Sequence, residues 1–393
     1  MNAVPQIETE AAEPADEKAF ADLHLVHVVR QYAPMVGGLE DFVRNLAANQ
    51  MGRFASIKVL TLDRLFTDLE NNLPEQAVVD GIPVQRIPFR GSTRYPFAPS
   101  VFSKLQGADL VHVHAIDFFF DGLALTKPFH RKKLVATTHG GFFHTDKNSG
   151  LKKVWLNTMT RLSSQMYDVI ACCSDNDLEM FRQIAPSKVR LIENGVDLSK
   201  FGGASSPTPQ KRLVTIGRFS ANKRLDRIFD AVQCLVRSDP QWQVDIVGSP
   251  SDLTASDLNK LITDRDLSGH AHVHLGLSDP GVRKILANCS FFVSASEYEG
   301  FGIALIEGLS AGLIPIVQPN TAYQSLSKHH AMVHLADFSN PDSAAETINR
   351  AWEDLIRTPS LRSSAISSAD QHSWATTKTH YDRLYLDALK RGC

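Results

Sequence analysis

Short apolar runs, rich in Val, Ile and Leu, recur along this chain, separated by stretches with helical spacing. Unbroken runs of this kind describe strands buried on both faces, and the segments between them supply the helices that bury them. The runs fall at 24–29, 57–62, 84–88, 109–114, 133–138, 168–174 and 189–193, then at 212–217, 243–248, 272–275, 291–295, 314–318 and 331–335. Such an alternation predicts an α/β chain with doubly wound parallel sheets. At 393 residues it calls for two domains. The stretch Phe201-Gly202-Gly203-Ala204-Ser205-Ser206-Pro207-Thr208-Pro209 has the composition of a linker. The expected plan is one domain over 21–200, a linker at 201–210 and a second domain over 211–371. Open parallel sheets bind ligands beyond the carboxyl ends of their strands, so a ligand cleft between the two domains is expected. Over 372–393, Trp374, Tyr381, Leu384, Tyr385 and Ala388 keep helical spacing, which predicts a packed helix.

Several function classes drop out. Residues 1–20 are acidic (Glu8, Glu10, Glu13, Asp16, Glu17), are expected to be disordered, and lack the basic and apolar regions of a secretion signal. No run of 18 apolar residues offers a membrane-spanning helix. A net charge of −2, with no basic excess spread along either half, argues against a nucleic-acid partner. Five cysteines, Cys172 and Cys173 adjacent among them, form no C-x-x-C pair and read as reduced thiols of a cytosolic protein.

The chemistry concentrates near residue 300. Glu299 and Glu307 lie eight residues apart in Glu299-Gly300-Phe301-Gly302-Ile303-Ala304-Leu305-Ile306-Glu307-Gly308, after the apolar run 291–295. A helix is expected from Gly300–Gly302 to about Gly312. On one helix the two Cα atoms would sit about 12 Å apart. That is wider than the roughly 5–9.5 Å of a hydrolase carboxylate pair, and it suits two acids gripping distant parts of one long, hydroxyl-rich ligand. An amphipathic helix with two solvated acids would read the same way.

Upstream, the run ending at Gly217 leads into Arg218-Phe219-Ser220-Ala221-Asn222-Lys223. Arg218 and Lys223 leave from a strand end and a helix start, where two cations can hold a diphosphate and offset the charge it gains on departure. Gly37-Gly38 follows the first strand; two glycines let a backbone approach a ligand closely, and the next helix presents free N–H groups to an anion. His139 ends a strand before Gly140-Gly141, a rim position, although a lone histidine is often structural. Ser174, also at a strand end, is a further hydrogen-bonding candidate. Gly300-x-Gly302 lacks the third glycine of a dinucleotide fingerprint, since position 305 is Leu. Asp175-Asn176-Asp177 and Asp264-Arg265-Asp266 read as a helix cap and a solvated face, and no His or Cys cluster has metal-ligand spacing. No metal and no cofactor are expected. Between Lys127 and Lys153 stand seven bases (Lys127, Arg131, Lys132, Lys133, Lys147, Lys152, Lys153) against Asp146, near Phe118, Phe119, Phe120, Phe142, Phe143 and Trp155. Bases interleaved with aromatics suit an anionic membrane surface, each base contributing about 1 kcal/mol, with a helix from Leu151 to Met166 lying on it.

Taken in order, the Gly37-Gly38 loop, the Asn194-Gly195-Val196-Asp197 turn, Gly217-Arg218 with Lys223, and Glu299-Gly300-Phe301-Gly302 with Glu307 resemble family-four retaining glycosyltransferases of the two-Rossmann (GT-B) architecture, over about residues 22–390. Within that family the chain is most similar to bacterial mannosyltransferases that extend a lipid-linked cellobiose in exopolysaccharide assembly. The resemblance implies GDP-mannose as donor, a cellobiosyl-diphospho-polyprenol acceptor, an α-1,3 linkage made with retention, and a C-terminal helix that returns to the N-terminal domain. It implies work at the inner face of a bacterial cytoplasmic membrane, with other polysaccharide-assembly enzymes as possible partners. It assigns Glu307 to the ribose, Glu299 and the main chain of Gly300, Phe301 and Gly302 to the donor sugar, and Arg218 and Lys223 to the diphosphate. His139 goes to the sugar's outer hydroxyls, and Gly37-Gly38 to the diphosphate and acceptor. Two departures stand out: Glu307-Gly308-Leu309 replaces the usual Glu-Ala-Met, and Gln318-Pro319-Asn320 replaces a Gly-Gly element.

Overall fold

The computed structural model describes residues 19–140 and 154–391. The chain forms two compact units, one running to Gly195 and resuming at Trp374, the other spanning Val196–Ser373.

In the first unit the described strands are β1 (His24–Val28), β2 (Ser56–Leu62), β3 (Gln76–Val79), β4 (Ile82–Ile87), a small hairpin of β5 (Arg90–Ser92) and β6 (Tyr95–Phe97), β7 (Leu110–His114), β8 (Lys133–Thr137), β9 (Val169–Cys172) and β10 (Val189–Leu191). The main sheet has the order β10-β9-β8-β7-β1-β2-β4-β3, parallel except where β3 pairs antiparallel with β4. Side-chain alternation sends Val26, Val28, Val111 and Val113 to one core and Leu25, Val29, Leu110 and Val135 to the other. The second core is closed by the helices Gly38–Gln50 and Trp374–Lys390, the latter burying Tyr381, Leu384, Tyr385 and Ala388. The apolar spacing read from the C-terminal sequence is this helix's buried face.

The second unit carries β11 (Arg212–Phe219), β12 (Gln243–Pro250), β13 (Ala271–Leu275), β14 (Phe291–Ser294), β15 (Ile314–Val317) and β16 (His334–Leu335) in the all-parallel order β13-β12-β11-β14-β15-β16. Helices such as Leu225–Ser238 and Pro341–Arg357 bury their apolar sides in one large core with these strands. β11 and β12 approach closely at Gly217 and Gly248: a Cβ on Gly248 would lie 1.7 Å from the Gly217 carbonyl oxygen. The stretch read as a linker is instead part of this unit. Phe201 is 1% exposed, Ser205 and Ser206 are buried, and the amides of Gly203, Ser205 and Ser206 donate to the carbonyls of Ser310, Ala311 and Cys289. Glycine and serine gave it a linker's composition, but one buried aromatic ring and these hydrogen bonds fix it in place.

Candidate functional site

The rim of the second unit begins where β11 ends. A single turn, Ala221–Lys223, separates it from the helix Leu225–Ser238. β14 is the neighbour of β11, so the loops leaving the two strands run side by side. Asn222 ties them together: its Nδ2 donates to the Tyr298 carbonyl at 2.8 Å, its Oδ1 accepts from the Tyr298 amide at 3.1 Å, and its carbonyl accepts from the Glu297 amide at 3.1 Å. This lacing brings Lys223 to Glu299, Nζ to Oε1 at 2.6 Å, with both side chains largely buried. The same oxygen accepts from the Tyr323 hydroxyl at 3.2 Å. Burial and the adjacent Glu299 push the Tyr323 phenol far up, so it stays a donor. Arg224, in the left-handed region at φ 47°, pairs with Asp226 and Glu297. Arg218 is the penultimate residue of β11 and is exposed.

The helix after β14 is Ile303–Ala311, bracketed by Gly302 at φ 96° and Gly312 at φ 88°. Glu299 therefore precedes the helix, and the two-turn spacing read from sequence does not describe the acids. Gly302 is required twice over: its φ is left-handed, and a Cβ there would sit 3.0 Å from the Tyr323 ring and 3.1 Å from Leu326. Gly300 has open space around it. The Phe301 ring is buried beside the His372 ring, centroids 5.5 Å apart, so only its main chain is available to a ligand.

Glu307 has its own cation. Lys200 Nζ lies 3.0 Å from Glu307 Oε1 and 3.8 Å from Asp279. Burial pushes the Glu307 carboxyl up, against the pull of Lys200. Burial alone would lower the Lys200 ammonium, but Glu307 and Asp279 more than offset it. The departure at Gly308 has a packing cause: a Cβ there would lie 3.2 Å from Phe292. Asn320, in the other departure, caps the helix Thr321–His329 by accepting from the Tyr323 amide at 3.0 Å and donates to the Ser296 carbonyl at 2.9 Å.

In the first unit Gly37 is the N-cap of the helix Gly38–Gln50, and Gly38 has no atom within 4 Å of where its Cβ would be. Helix-start amides there lack intrahelical partners. His139 follows β8 at φ 55°, a strained setting for a non-glycine residue. Asp177, 2% exposed, holds the loop by accepting from the Thr138 hydroxyl and, at 3.1 Å, from the Gly140 amide. The His139 ring meets Phe42 edge-on at 4.6 Å, and burial lowers its pKa to about 3. The Ser174 hydroxyl caps the helix Asp175–Arg182 by accepting from the Asp177 amide.

Sequence spacing showed no metal cluster, yet the fold gathers His27, His112 and His114, all buried, with ring nitrogens within 4.8 Å of one another. All six nitrogens are in hydrogen bonds: to His114, Gln50, Tyr385, Thr137, His27 and His139. The donor set could hold a metal only by breaking that network.

The basic stretch divides. Lys127 is bonded to the Met166 carbonyl at 2.8 Å and to Asp168 at 2.7 Å, and Lys133 to the Arg391 carbonyl. Both ammonium groups are thus engaged within the first unit, each joining segments distant in sequence. Phe118, Phe119 and Phe120 are core residues. Lys147, Lys152, Lys153, Phe142 and Phe143 lie outside the described residues, as does the start of the proposed surface helix. Arg131 and Lys132 remain at the surface, next to Phe129, 87% exposed, and Leu125 one turn back. Sequence reading missed Lys200, Asn222 and Tyr323, and read Asp177 only as part of a helix cap. The signal for Lys200 was a base beside a glycine-rich stretch; the others carry none, because their roles depend on loops from distant strands.

Two family models cover this chain: "Glycosyltransferase Family 4" over residues 36–200 and "Glycosyl transferases group 1" over 200–371. A GDP-mannose:cellobiosyl-diphosphopolyprenol alpha-mannosyltransferase of Xanthomonas oryzae pv. oryzae is 39% identical over 373 residues, 93% of this chain and 97% of that one. The protein of the same name from Komagataeibacter xylinus is 40% identical over 375 residues, 94% of each chain. The chain belongs to glycosyltransferase family 4. As a family-4 glycosyltransferase it has the GT-B fold, and a sucrose-phosphate synthase from Thermosynechococcus elongatus matches it with a TM-score of 0.72 at 16% identity, over 93% of this chain and 99% of that one. The fold class and the enzyme class expected from sequence both hold.

Proposed function

We propose that this glycosyltransferase moves mannose from GDP-mannose, with retention, to the cellobiose of a polyprenyl-diphosphate-linked acceptor, forming an α-1,3 linkage in exopolysaccharide biosynthesis. The full-length similarity to relatives of that name carries the reading. The rim of the second unit supplies groups suited to the donor. Lys223 and Arg218 face the diphosphate, Glu307 takes the ribose hydroxyls, and Glu299 with the main chain of Gly300–Gly302 takes the sugar. In the first unit, Gly37, Gly38 and His139 serve the phosphate side and the sugar's outer hydroxyls.

Lys223 gives the chemistry a clear form. An ammonium has three donors, and one goes to Glu299. The others are free to follow the β-phosphate as negative charge grows on it. A departing phosphate so held can itself take the acceptor hydroxyl's proton, so no protein nucleophile is needed. Positioning and leaving-group charge stabilisation then account for most of the rate. No metal is needed for this assignment, since cations already face the diphosphate.

For the membrane, Phe129 and Leu125 with Arg131 and Lys132 replace the bases that the fold has already used. Among the described residues no helix is long and apolar enough to cross a bilayer. A peripheral contact of this kind suits a lipid-linked acceptor.

Radiolabelled nucleotide-sugars offered with membranes carrying cellobiosyl-diphospho-polyprenol test the transfer. Label from GDP-mannose in an α-1,3-linked trisaccharide lipid is expected; label only from UDP-glucose, or none, overturns it. Liposome flotation tests the membrane contact: Phe129→Asp should release the protein from anionic vesicles, and binding that ignores both the substitution and lipid charge would remove the contact.

A further inference from the structure

The first unit buries an uninterrupted line of uncharged polar side chains. His27, His112 and Thr137 alternate with apolar residues on one face of β1, β7 and β8, and His27 and His112 are register partners. The helix Gly38–Gln50 lowers its last residue, Gln50, onto that face, and the C-terminal helix adds Tyr381 and Tyr385. Gln50, His27, His112 and His114 are each 0% exposed.

Every contact in the line falls at hydrogen-bond distance. Outward from Gln50, Oε1 meets His27 Nε2 at 3.0 Å, His27 Nδ1 meets His114 Nε2 at 3.0 Å, and His114 Nδ1 meets His139 Nε2 at 3.1 Å. Inward, Gln50 Nε2 donates to the Tyr385 hydroxyl at 3.0 Å. Tyr385 meets His112 Nδ1 at 2.8 Å, His112 Nε2 meets Thr137 Oγ1 at 2.8 Å, and Thr137 meets Tyr381 at 3.0 Å.

Such a line carries one proton per contact. A neutral imidazole donates from one nitrogen and accepts at the other. Burial lowers the pKa of every ring in the line, so each histidine is held neutral. The Gln50 carbonyl can only accept, so His27 donates from Nε2 and accepts at Nδ1. His114 must then donate from Nε2 and accept at Nδ1, and His139 must donate from Nε2. The amide end of Gln50 fixes the inner branch in the opposite sense: Tyr385 donates to His112, and His112 donates to Thr137. Turning the amide over would require every proton in both branches to reverse together.

We propose that Gln50, His27 and His114 are positioning residues that hold His139 as its Nε2–H tautomer, leaving the Nδ1 lone pair as an acceptor for a hydroxyl of the bound donor sugar. The inference rests on the assignment of His139 to that sugar. It adds the reason a ring at that place accepts and does not donate. The backbone strain at His139, the Asp177 clamp on its loop and the Phe42 edge contact fix where the ring stands; the buried line fixes which nitrogen carries hydrogen.

Long-range proton–nitrogen correlation spectra of the full chain, labelled with nitrogen-15 histidine, read the tautomers directly at neutral pH. The expected result is Nε2–H at His27, His114 and His139. Gln50→Met keeps the volume and removes the anchor, so His139 should become a mixture of tautomers. kcat/KM with GDP-mannose should fall about 3- to 10-fold, the range of one hydrogen bond, while affinity for GDP alone stays within about twofold. Gln50→Glu keeps the acceptor against His27 and should retain the single tautomer. An Nδ1–H or doubly protonated His139 in the unsubstituted protein overturns the proposal. So does an unchanged His139 spectrum in Gln50→Met, or a spectrum that changes on adding a chelator, which would mean a metal on His27, His112 and His114. If Gln50→Met does not fold, the spectrum of the unsubstituted chain decides. Absence of any transfer from GDP-mannose would fail the donor reading and leave the tautomer measurement intact.

Discussion

The polar groups assigned to the donor differ between the two units. The first buries neutral ones deep in its sheet: His27, His112, His114, Thr137, Tyr381 and Tyr385, with no net charge among them. At the rim of the second, charges stand in pairs, Lys223 with Glu299 on the loops after β11 and β14, and Lys200 with Glu307 on the helix Ile303–Ala311. The difference follows the chemistry assigned to each. A diphosphate needs full cations, and cations survive near a core only where partners and water share the desolvation cost. Sugar hydroxyls need directional acceptors and donors, and neutral groups can be buried completely once each is hydrogen-bonded. One unit meets charge with charge; the other meets hydroxyls with a fixed hydrogen-bond direction.

The sharpest way to break this comparison is Lys223→Ala. If Lys223 acts on the departing phosphate, kcat should fall about 10²-fold or more, some 3 kcal/mol of transition-state stabilisation, with donor KM changing far less. A raised KM with kcat intact would make Lys223 a ground-state anchor only.

The buried histidines make the first unit sensitive to acid. Burial lowers His27 to about 4 and His139 to about 3, and holds His112 and His114 well below the ordinary value. The unfolded chain takes up these protons near the usual 6.5, before the folded one does. The stability they contribute is therefore complete above about pH 6.5 and is lost as pH falls toward 4, on the order of 3 kcal/mol for His27 alone. Buried carboxyls oppose this: burial raises Asp117 to about 6 and Glu193 to about 7, and raises Glu40, Asp121, Glu307 and Asp382 as well, so their protonation in the folded state adds stability as pH falls toward 4. Burial lowers His130, His272, His330, His334, His372 and His380 as well, so the histidines outnumber the raised carboxyls; melting temperature should drop between pH 7 and 5, and hydrogen exchange should show strands β1, β7 and β8 losing protection. A melting temperature flat across that range would show that the line of histidines does not stay neutral.

Glu307→Gln sharpens the other side. The ribose contact weakens and Lys200 loses its charged partner, so donor KM should rise about tenfold, near 1.4 kcal/mol, with little change in kcat. A kcat collapse instead would move Glu307 from binding to chemistry. The smallest effect is expected from Asn222→Ala, which unlaces the two rim loops. A stability loss of about 1 kcal/mol by denaturant titration is expected, with kcat reduced modestly because Lys223 and Glu299 lose their common support; an unchanged enzyme would show the lacing to be incidental.

Much of this was legible in one dimension. The strand positions followed from unbroken Val, Ile and Leu runs, and β11, β12, β14 and β15 fell where those runs were. The short antiparallel β3 was missed, because Gln76–Val79 lacks a long apolar run. Glu299, Arg218 and Lys223 stood out because each lies within a few residues of a strand end, and Glu307 because of its spacing from Glu299. The histidines of the first unit also left a trace, alternating with valine in Val111-His112-Val113-His114, but the pattern has no partner within reach in sequence. Gln50 and Tyr385 complete the line from 335 residues apart.

By itself the sequence determined the elements: period-two and period-3.6 patterns select strands and helices through local burial, and the contiguous rim motif names the enzyme family. Tertiary structure alone decided the pairings. Which cation meets Glu299 and which meets Glu307, that Phe201 anchors an apparent linker, and which ring nitrogen of His139 is bare all depend on side chains brought together from distant segments. Hydrogen-bond direction and ion-pair choice are properties of three-dimensional neighbours, and no local pattern encodes them.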